Sequence, residues 1–159
     1  MAELSNTIED IISKGLVQFL QAEGFNRTDK TFVKYSNNAI QLLCVEESKS
    51  GFGSSNKFTI CLGLYFPSLA KKAGMVATSG IPRETECHVR ERIGFLMPKK
   101  KDHWWMVIKP VIDLDGLGVE VRDTVAKYGL AWFDHYMLLD AENLLASGLS
   151  NETGSALLH

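Results

Sequence analysis

Ile8, Ile11, Ile12, Leu16, Phe19 and Leu20 recur at the spacing that lines one face of an α-helix. Asn6-Thr7-Ile8-Glu9 stands where a capping box would open that helix, and Gly24 stands where a C-terminal glycine cap would close it. The pattern predicts a first helix over residues 7–23. The period then changes to two. Thr31 to Ser36 reads as a strand, Asn37-Asn38 as a turn, and Ala39 to Glu47 as the returning strand. Ile40, Leu42 and Cys44 fall on one of its faces, and Gln41, Leu43 and Val45 on the other.

After a Ser/Gly-rich loop over 48–56, Lys57 to Phe66 is the clearest strand. Phe58, Ile60, Leu62, Leu64 and Phe66 share one face; Thr59, Cys61, Gly63 and Tyr65 share the other. Gly63 is expected either to weaken the strand or to admit a close neighbour above it. Residues 67–83 have no clean period and read as a long surface connection. Glu86–Ile93 and Trp104–Ile108 read as two further strands, separated by a turn at Lys99-Lys100-Lys101-Asp102. Leu117, Val121, Val125 and Tyr128 return to helical spacing, with Gly129 as the expected cap. Asp140 is placed to cap a last helix carrying Leu144 and Leu145, and the tail after about residue 150 is expected to fray. Strands cluster instead of alternating with helices. The expected fold is therefore a single α+β domain over 1–159, an antiparallel sheet of about five strands with one N-terminal and two C-terminal helices packed on it.

Composition agrees with a folded domain: 159 residues, 45% hydrophobic and 23% charged. The net charge of −2 argues against a nucleic-acid partner. No apolar run approaches the roughly 20 residues of a membrane span, and the first residues lack the basic-then-apolar pattern of a secretory signal. The expectation is a soluble cytoplasmic protein without a membrane partner. Cys44, Cys61 and Cys87 are too far apart to form CxxC, and no HxxxH pair occurs, so neither a metal site nor a cofactor is expected.

The candidate chemistry is concentrated in Glu86-Cys87-His88-Val89-Arg90-Glu91-Arg92-Ile93. Strand alternation sends Cys87, Val89, Glu91 and Ile93 to the core side and His88, Arg90 and Arg92 to the opposite face. That separates Cys87 from His88 and argues against a Cys/His nucleophile pair. Glu91 would need the strand end or a cation. Two guanidiniums beside an imidazole suit a carboxylate or phosphate, and Tyr65 and Trp105 are expected on the same sheet face. These five residues form the candidate ligand-binding site. The plain alternative is that the arginines pair with acids on neighbouring strands. Lys99 to Trp105 mixes lysines with aromatics, as single-strand binders do, but reads here as a solvated turn entering a strand. Trp132-Phe133 reads as a staple between helix and sheet.

Phe58-Thr59-Ile60-Cys61-Leu62-Gly63-Leu64-Tyr65, the stretch from Glu86 to Gly94, Trp105, and Tyr128-Gly129-Leu130-Ala131-Trp132-Phe133 together resemble the bacterial "domain of unknown function 4304" family. The chain departs from the family pattern at Glu46-Glu47-Ser48-Lys49 and at Cys61. The resemblance implies a small α+β domain and carries over no catalytic residue. The leading expectation is a non-enzymatic binding or protein-interaction domain, in an accessory or toxin-neutralising role, meeting an acidic ligand or protein partner through the sheet face. The second is a hydrolase or transferase using His88 as acid–base and Arg90/Arg92 as an anion clamp.

Overall fold

The computed structural model describes residues 2–36, 39–49, 55–72, 74, 80–108 and 113–138. Helix α1 runs without a break through α-helical Ala2–Ile12, π-helical Ser13–Val17 and α-helical Gln18–Ala22. It begins ahead of the expected capping box, so Asn6 lies inside the helix and caps nothing. Its end is as the sequence predicts. Gly24 takes a positive φ of 96°, its N–H bonds to the Gln21 carbonyl, and the Phe25 N–H bonds to that of Leu20.

Strands β1 (Asn26–Thr28), β2 (Thr31–Tyr35), β3 (Ile40–Lys49) and β4 (Ser55–Tyr65) follow as an antiparallel meander. β1 was not expected; three residues are too short for a period. Asp29, at φ 56°, makes the tight turn into β2. β3 and β4 pair from Ile40↔Tyr65 to Lys49↔Asn56, so both strands run further into the expected 48–56 loop than alternation alone suggested. The expected turn at Asn37-Asn38 lies outside the described residues.

The connection after β4 is not all loop. Pro67–Lys72 forms a short helix, α2, and Glu84–Glu86 a 3-10 turn. Proline at the first helical position costs no hydrogen bond, because that N–H would have no partner in the helix. β5 (Val89–Arg92) and β6 (Trp105–Ile108) then share the free side of β4. β5 pairs with Cys61–Leu64 and β6 with Ser55–Phe58. Between them the chain leaves the sheet through a 3-10 turn at Ile93–Leu96 and returns at Trp105.

The C-terminal helix, α3, passes through Leu114–Thr124, Val125–Gly129 and Leu130–Met137 without interruption. Asp113 caps it by accepting the Gly116 N–H at 2.8 Å. Gly129 does not end it. Its φ is −69°, whereas a glycine cap needs positive φ, and Trp132, Phe133 and Tyr136 continue the buried face beyond it. The described C-terminal helix is thus one element in joined pieces; the helix expected after Asp140 lies outside the described residues. The architecture is the expected α+β domain with an antiparallel sheet, of six strands.

The main core lies between the helices and one sheet face, where Ile8, Ile11, Leu16, Val121, Val125 and Phe133 meet Phe58, Ile60, Leu62 and Leu64. A smaller cluster of Val33, Leu42, Tyr65, Ala70 and Cys87 lies on the opposite, outer face, under α2. The helix layer depends on one close crossing. A β-carbon on Gly15 would overlap the Gly118 carbonyl, whereas one on Gly118 would lie 3.3 Å from the Gly15 nitrogen. Glycine is needed at residue 15 because backbone, which cannot rotate away, occupies the space. Gly15→Ala is therefore expected to lose at least about 1–3 kcal/mol by overpacking. Gly118→Ala should lose less. Urea unfolding of both variants checks this; an equal or smaller loss at residue 15 would remove the crossing as the constraint.

Candidate functional site

The outer face of the sheet carries a groove of about 390 Å³, lined by Cys44, Val45, Glu46, Cys61, Glu84, Thr85, Arg90, Glu91 and Arg92. Register explains how they meet. Cys44 lies opposite Cys61, Cys61 opposite Arg92, and Gly63 opposite Arg90, so β3, β4 and β5 present these positions on one face. The 3-10 turn at Glu84–Glu86 closes one side.

Of the five residues predicted for a site, only Arg90 and Arg92 line the groove. The Arg90 guanidinium donates to both carboxylate oxygens of Glu84, at 2.9 and 3.1 Å. The two side chains are only 27% and 19% exposed. Arg92 donates to Asp102 at 2.8 Å and to both oxygens of Glu46 at 3.3 Å. These partners are more open, with Glu46 at 44% and Asp102 at 37%. Both arginines thus have the internal acids of the plain alternative, yet they also have a pocket beside them.

His88 stands apart at the sheet edge. Its backbone N–H donates to the Leu64 carbonyl, and its ring Nδ1 accepts the Phe66 N–H at 3.0 Å. The ring lies 5.1 Å from that of Tyr65. Tyr65 itself is buried in the outer cluster. Trp105 is on the other side of the sheet: it is buried against the helices, stacks on Phe58, and its indole N–H donates to Glu120 at 2.6 Å. It belongs to the core. Its neighbour Trp104, not predicted for the site, takes the place expected of it. The Trp104 N–H donates to Asp102 at 2.8 Å, and the ring lies between Lys57 (4.7 Å) and Arg92 (5.3 Å). In an adjacent Trp pair one ring must face outward, but alternation does not say which until the register is known.

Cys87 is also displaced from its expected side. Pairing begins only at Val89, so alternation does not extend back to Cys87. Its thiol packs on the outer face over Gly63, where an added β-carbon would lie 2.7 Å from Sγ. This is the close neighbour that Gly63 was expected to admit. Val89 and Ile93 are buried on the helix side as predicted. Glu91 also faces that side; its carboxylate accepts the Arg92 N–H at 3.1 Å, and its charge helps burial to raise the Tyr136 phenol.

The electrostatics of the groove and its surroundings keep the described thiols protonated. Burial pushes all three thiols up, and for Cys61 a hydrogen bond to Glu46 at 3.1 Å adds to the effect. Reactive cysteines need the opposite shift. Burial lowers His88, in keeping with a ring nitrogen that accepts a backbone N–H and must be neutral to do so. Among the described residues no group of three or more His, Cys, Asp or Glu is placed to hold a metal ion. No helix among them is long and apolar enough to cross a membrane.

Two outcomes follow. His88 is held below its ordinary value of 6.5 in the folded chain, so the unfolded chain takes up its proton first. Its contribution to stability is complete above pH 6.5 and is lost as pH falls through the folded value. Urea midpoints measured across that window should fall in wild type and fall less in His88→Gln, which keeps an acceptor but does not titrate; matching slopes would exclude His88 as the cause. Separately, Gly63→Ala should cost about 1–3 kcal/mol by overpacking. Because Cys87 is the obstacle, Gly63→Ala and Cys87→Ala should be less than additive by about 0.5–3 kcal/mol in a double-mutant cycle. Simple additivity would show that the thiol is not what Gly63 accommodates.

The comparisons with known proteins bear on family membership and not on chemistry. The family model described as "Domain of unknown function (DUF4304)" matches residues 16–135, from inside α1 to the aromatic end of α3. No curated protein and no solved structure matches the chain. The matched span contains the whole described sheet, the groove and the Gly15-facing part of α3, and covers well over half the sequence. The chain belongs to the domain of unknown function 4304 family.

Proposed function

We propose that this is a non-enzymatic protein-interaction domain, and that its outer sheet face receives an acidic side chain of a partner at Arg92. The observation that carries this reading is the contrast between the two arginines. Arg90 is locked bidentately to a mostly buried Glu84 and serves the fold. Arg92 lies between two half-exposed carboxylates and against Trp104. Exposed ion pairs contribute only about 0–1 kcal/mol each, so an incoming carboxylate can replace Glu46 or Asp102 at small cost. Arginine and an outward indole beside it are residue types that anchor protein interfaces.

The groove is not an anion trap in its resting state. Glu46 and Glu84 among its lining residues match Arg90 and Arg92, and Asp102 adds a third carboxylate at Arg92. Free phosphate or a small dianion would meet that excess of negative charge. A partner protein is better suited, because it can offer one carboxylate to Arg92 while covering the apolar neighbours. His88, the acid–base of the hydrolase or transferase reading, stands outside the groove with Nδ1 accepting the Phe66 N–H, which favours the binding reading. The protonated thiols do not replace it.

The test is affinity capture from cells that make the protein, with wild type and Arg92→Glu compared side by side. The expected result is a captured protein that is lost with Arg92→Glu, while the variant still unfolds in one cooperative urea transition, the two lost pairs being worth only about 0–1 kcal/mol each. Identical captured sets would overturn the reading. Rapid alkylation of Cys61 or Cys87 in the folded protein would revive the enzymatic one.

A further inference from the structure

β6 presents an unusual outer surface. Trp105 and Val107 face the helices and are buried, whereas Met106 and Ile108 face outward and remain 48% and 56% exposed. On a sheet with one solvated face, outward positions are ordinarily polar. Among the described residues β6 pairs with β4 alone, so its other edge offers backbone N–H and C=O groups to a further strand.

The charges around this edge have one dominant sign. Lys57 is opposite Met106 in the register and sits over Trp104, with Arg92 over the same ring. Lys99, Lys100 and Lys101 are exposed on the turn that leads into β6. Five cations thus gather at this end of the outer face, against Glu46 and Asp102 there and Glu120 on the helix side, in a chain whose net charge is −2. A second copy docked on the same edge would bring the same cations to both sides of the seam, which like-charge repulsion disfavours.

We propose that β6 is the docking edge for an acidic segment of a partner protein, which adds to the sheet as an extended strand. The proposal rests on the reading above, that the outer face binds an acidic partner, and specifies how. Main-chain hydrogen bonds to β6 hold the segment. Two aliphatic side chains, two residues apart, cover Met106 and Ile108. Acidic side chains beyond them, on the same face, reach Lys57, Arg92 and the lysine turn.

The probe is the peptide Glu-Thr-Glu-Thr-Val-Thr-Val-Thr-Glu-Thr-Glu, which carries its valines and glutamates on one face and reads the same in both directions. It is titrated into the full chain and followed by backbone amide resonances. Two control peptides accompany it: one with lysine for every glutamate, and one N-methylated at two adjacent central nitrogens, which blocks both of its edges. The expected result is that the acidic peptide shifts the Trp105–Ile108 amides and slows their exchange. The lysine peptide should not bind, and the N-methylated peptide should bind at least tenfold more weakly. Lys57→Glu, which leaves the strand ladder intact, should weaken the acidic peptide at least fivefold. Equal binding of the N-methylated peptide would overturn strand addition and leave the acidic-partner reading standing. No binding of the acidic peptide at millimolar concentration, or equal binding of the lysine peptide, would overturn both. Concentration-dependent shifts at β6 without peptide would make a second copy the occupant and overturn the proposal.

Discussion

The register of β4 is the constraint on which the rest of the molecule depends. This strand is paired with β3 on one side and with β5 and β6 on the other. Phe58, Ile60, Leu62 and Leu64 are fully buried under the helices. A slip of one residue would exchange them for Lys57, Thr59, Cys61 and Gly63. Burying each large apolar side chain is worth about 1.5–3 kcal/mol, so the slipped sheet would lose most of its core. The same alternation fixes what the outer face can be. It offers Thr59, Cys61 and Gly63, small residues that let other segments approach closely. The Thr59 hydroxyl donates to the His103 carbonyl at 2.6 Å, Cys61 lines the groove, and Cys87 settles over Gly63.

The excursion between β5 and β6 turns that constraint into a surface. Gly94 lets the chain fold back on itself: a β-carbon there would overlap the Lys101 carbonyl and the His103 nitrogen. With Thr59 holding His103 from the other side, residues 101–104 return to the sheet in a defined place. Asp102 and Trp104 are delivered to the outer face and Trp105 to the helix side, where Glu120 accepts its N–H. A polar contact on each side of the sheet thus selects which tryptophan is core and which is surface. That choice puts the indole beside Arg92.

Much of the fold was legible in the sequence because burial imposes a period. The faces of β3 and β4, the first helix with its Gly24 cap, and the inward Val89 and Ile93 follow directly from spacing. Reading failed where local signals competed with tertiary contact. Asn6 and Gly129 have the chemistry of helix ends, but the helices continue past both; beyond Gly129, Trp132, Phe133 and Tyr136 have a sheet to cover. Alternation does not reach back from Val89 to Cys87, because the ladder starts only at Val89. Trp105 was placed beside Tyr65 because a sequence gives the parity within a strand and not the parity between strands. For the candidate site, Arg90 and Arg92 were visible as a pair, but Glu46 and Asp102 come from elsewhere in the chain and carry no spacing signal.

That last point decides what the arginines are. They are the same residue type, two positions apart, on one face of one strand, and nothing local distinguishes them. The difference lies in their acids. Glu84 comes from a 3-10 turn packed over the sheet, and with little water around it the bidentate pair is costly to open, since either charge left alone would be poorly solvated. Glu46 and Asp102 approach Arg92 from two directions and stay wet, so each contact is weak and exchangeable. Arg92 is thus neutralised by two carboxylates that water still reaches, and the proposed exchange for a partner's carboxylate rests on that difference from Arg90.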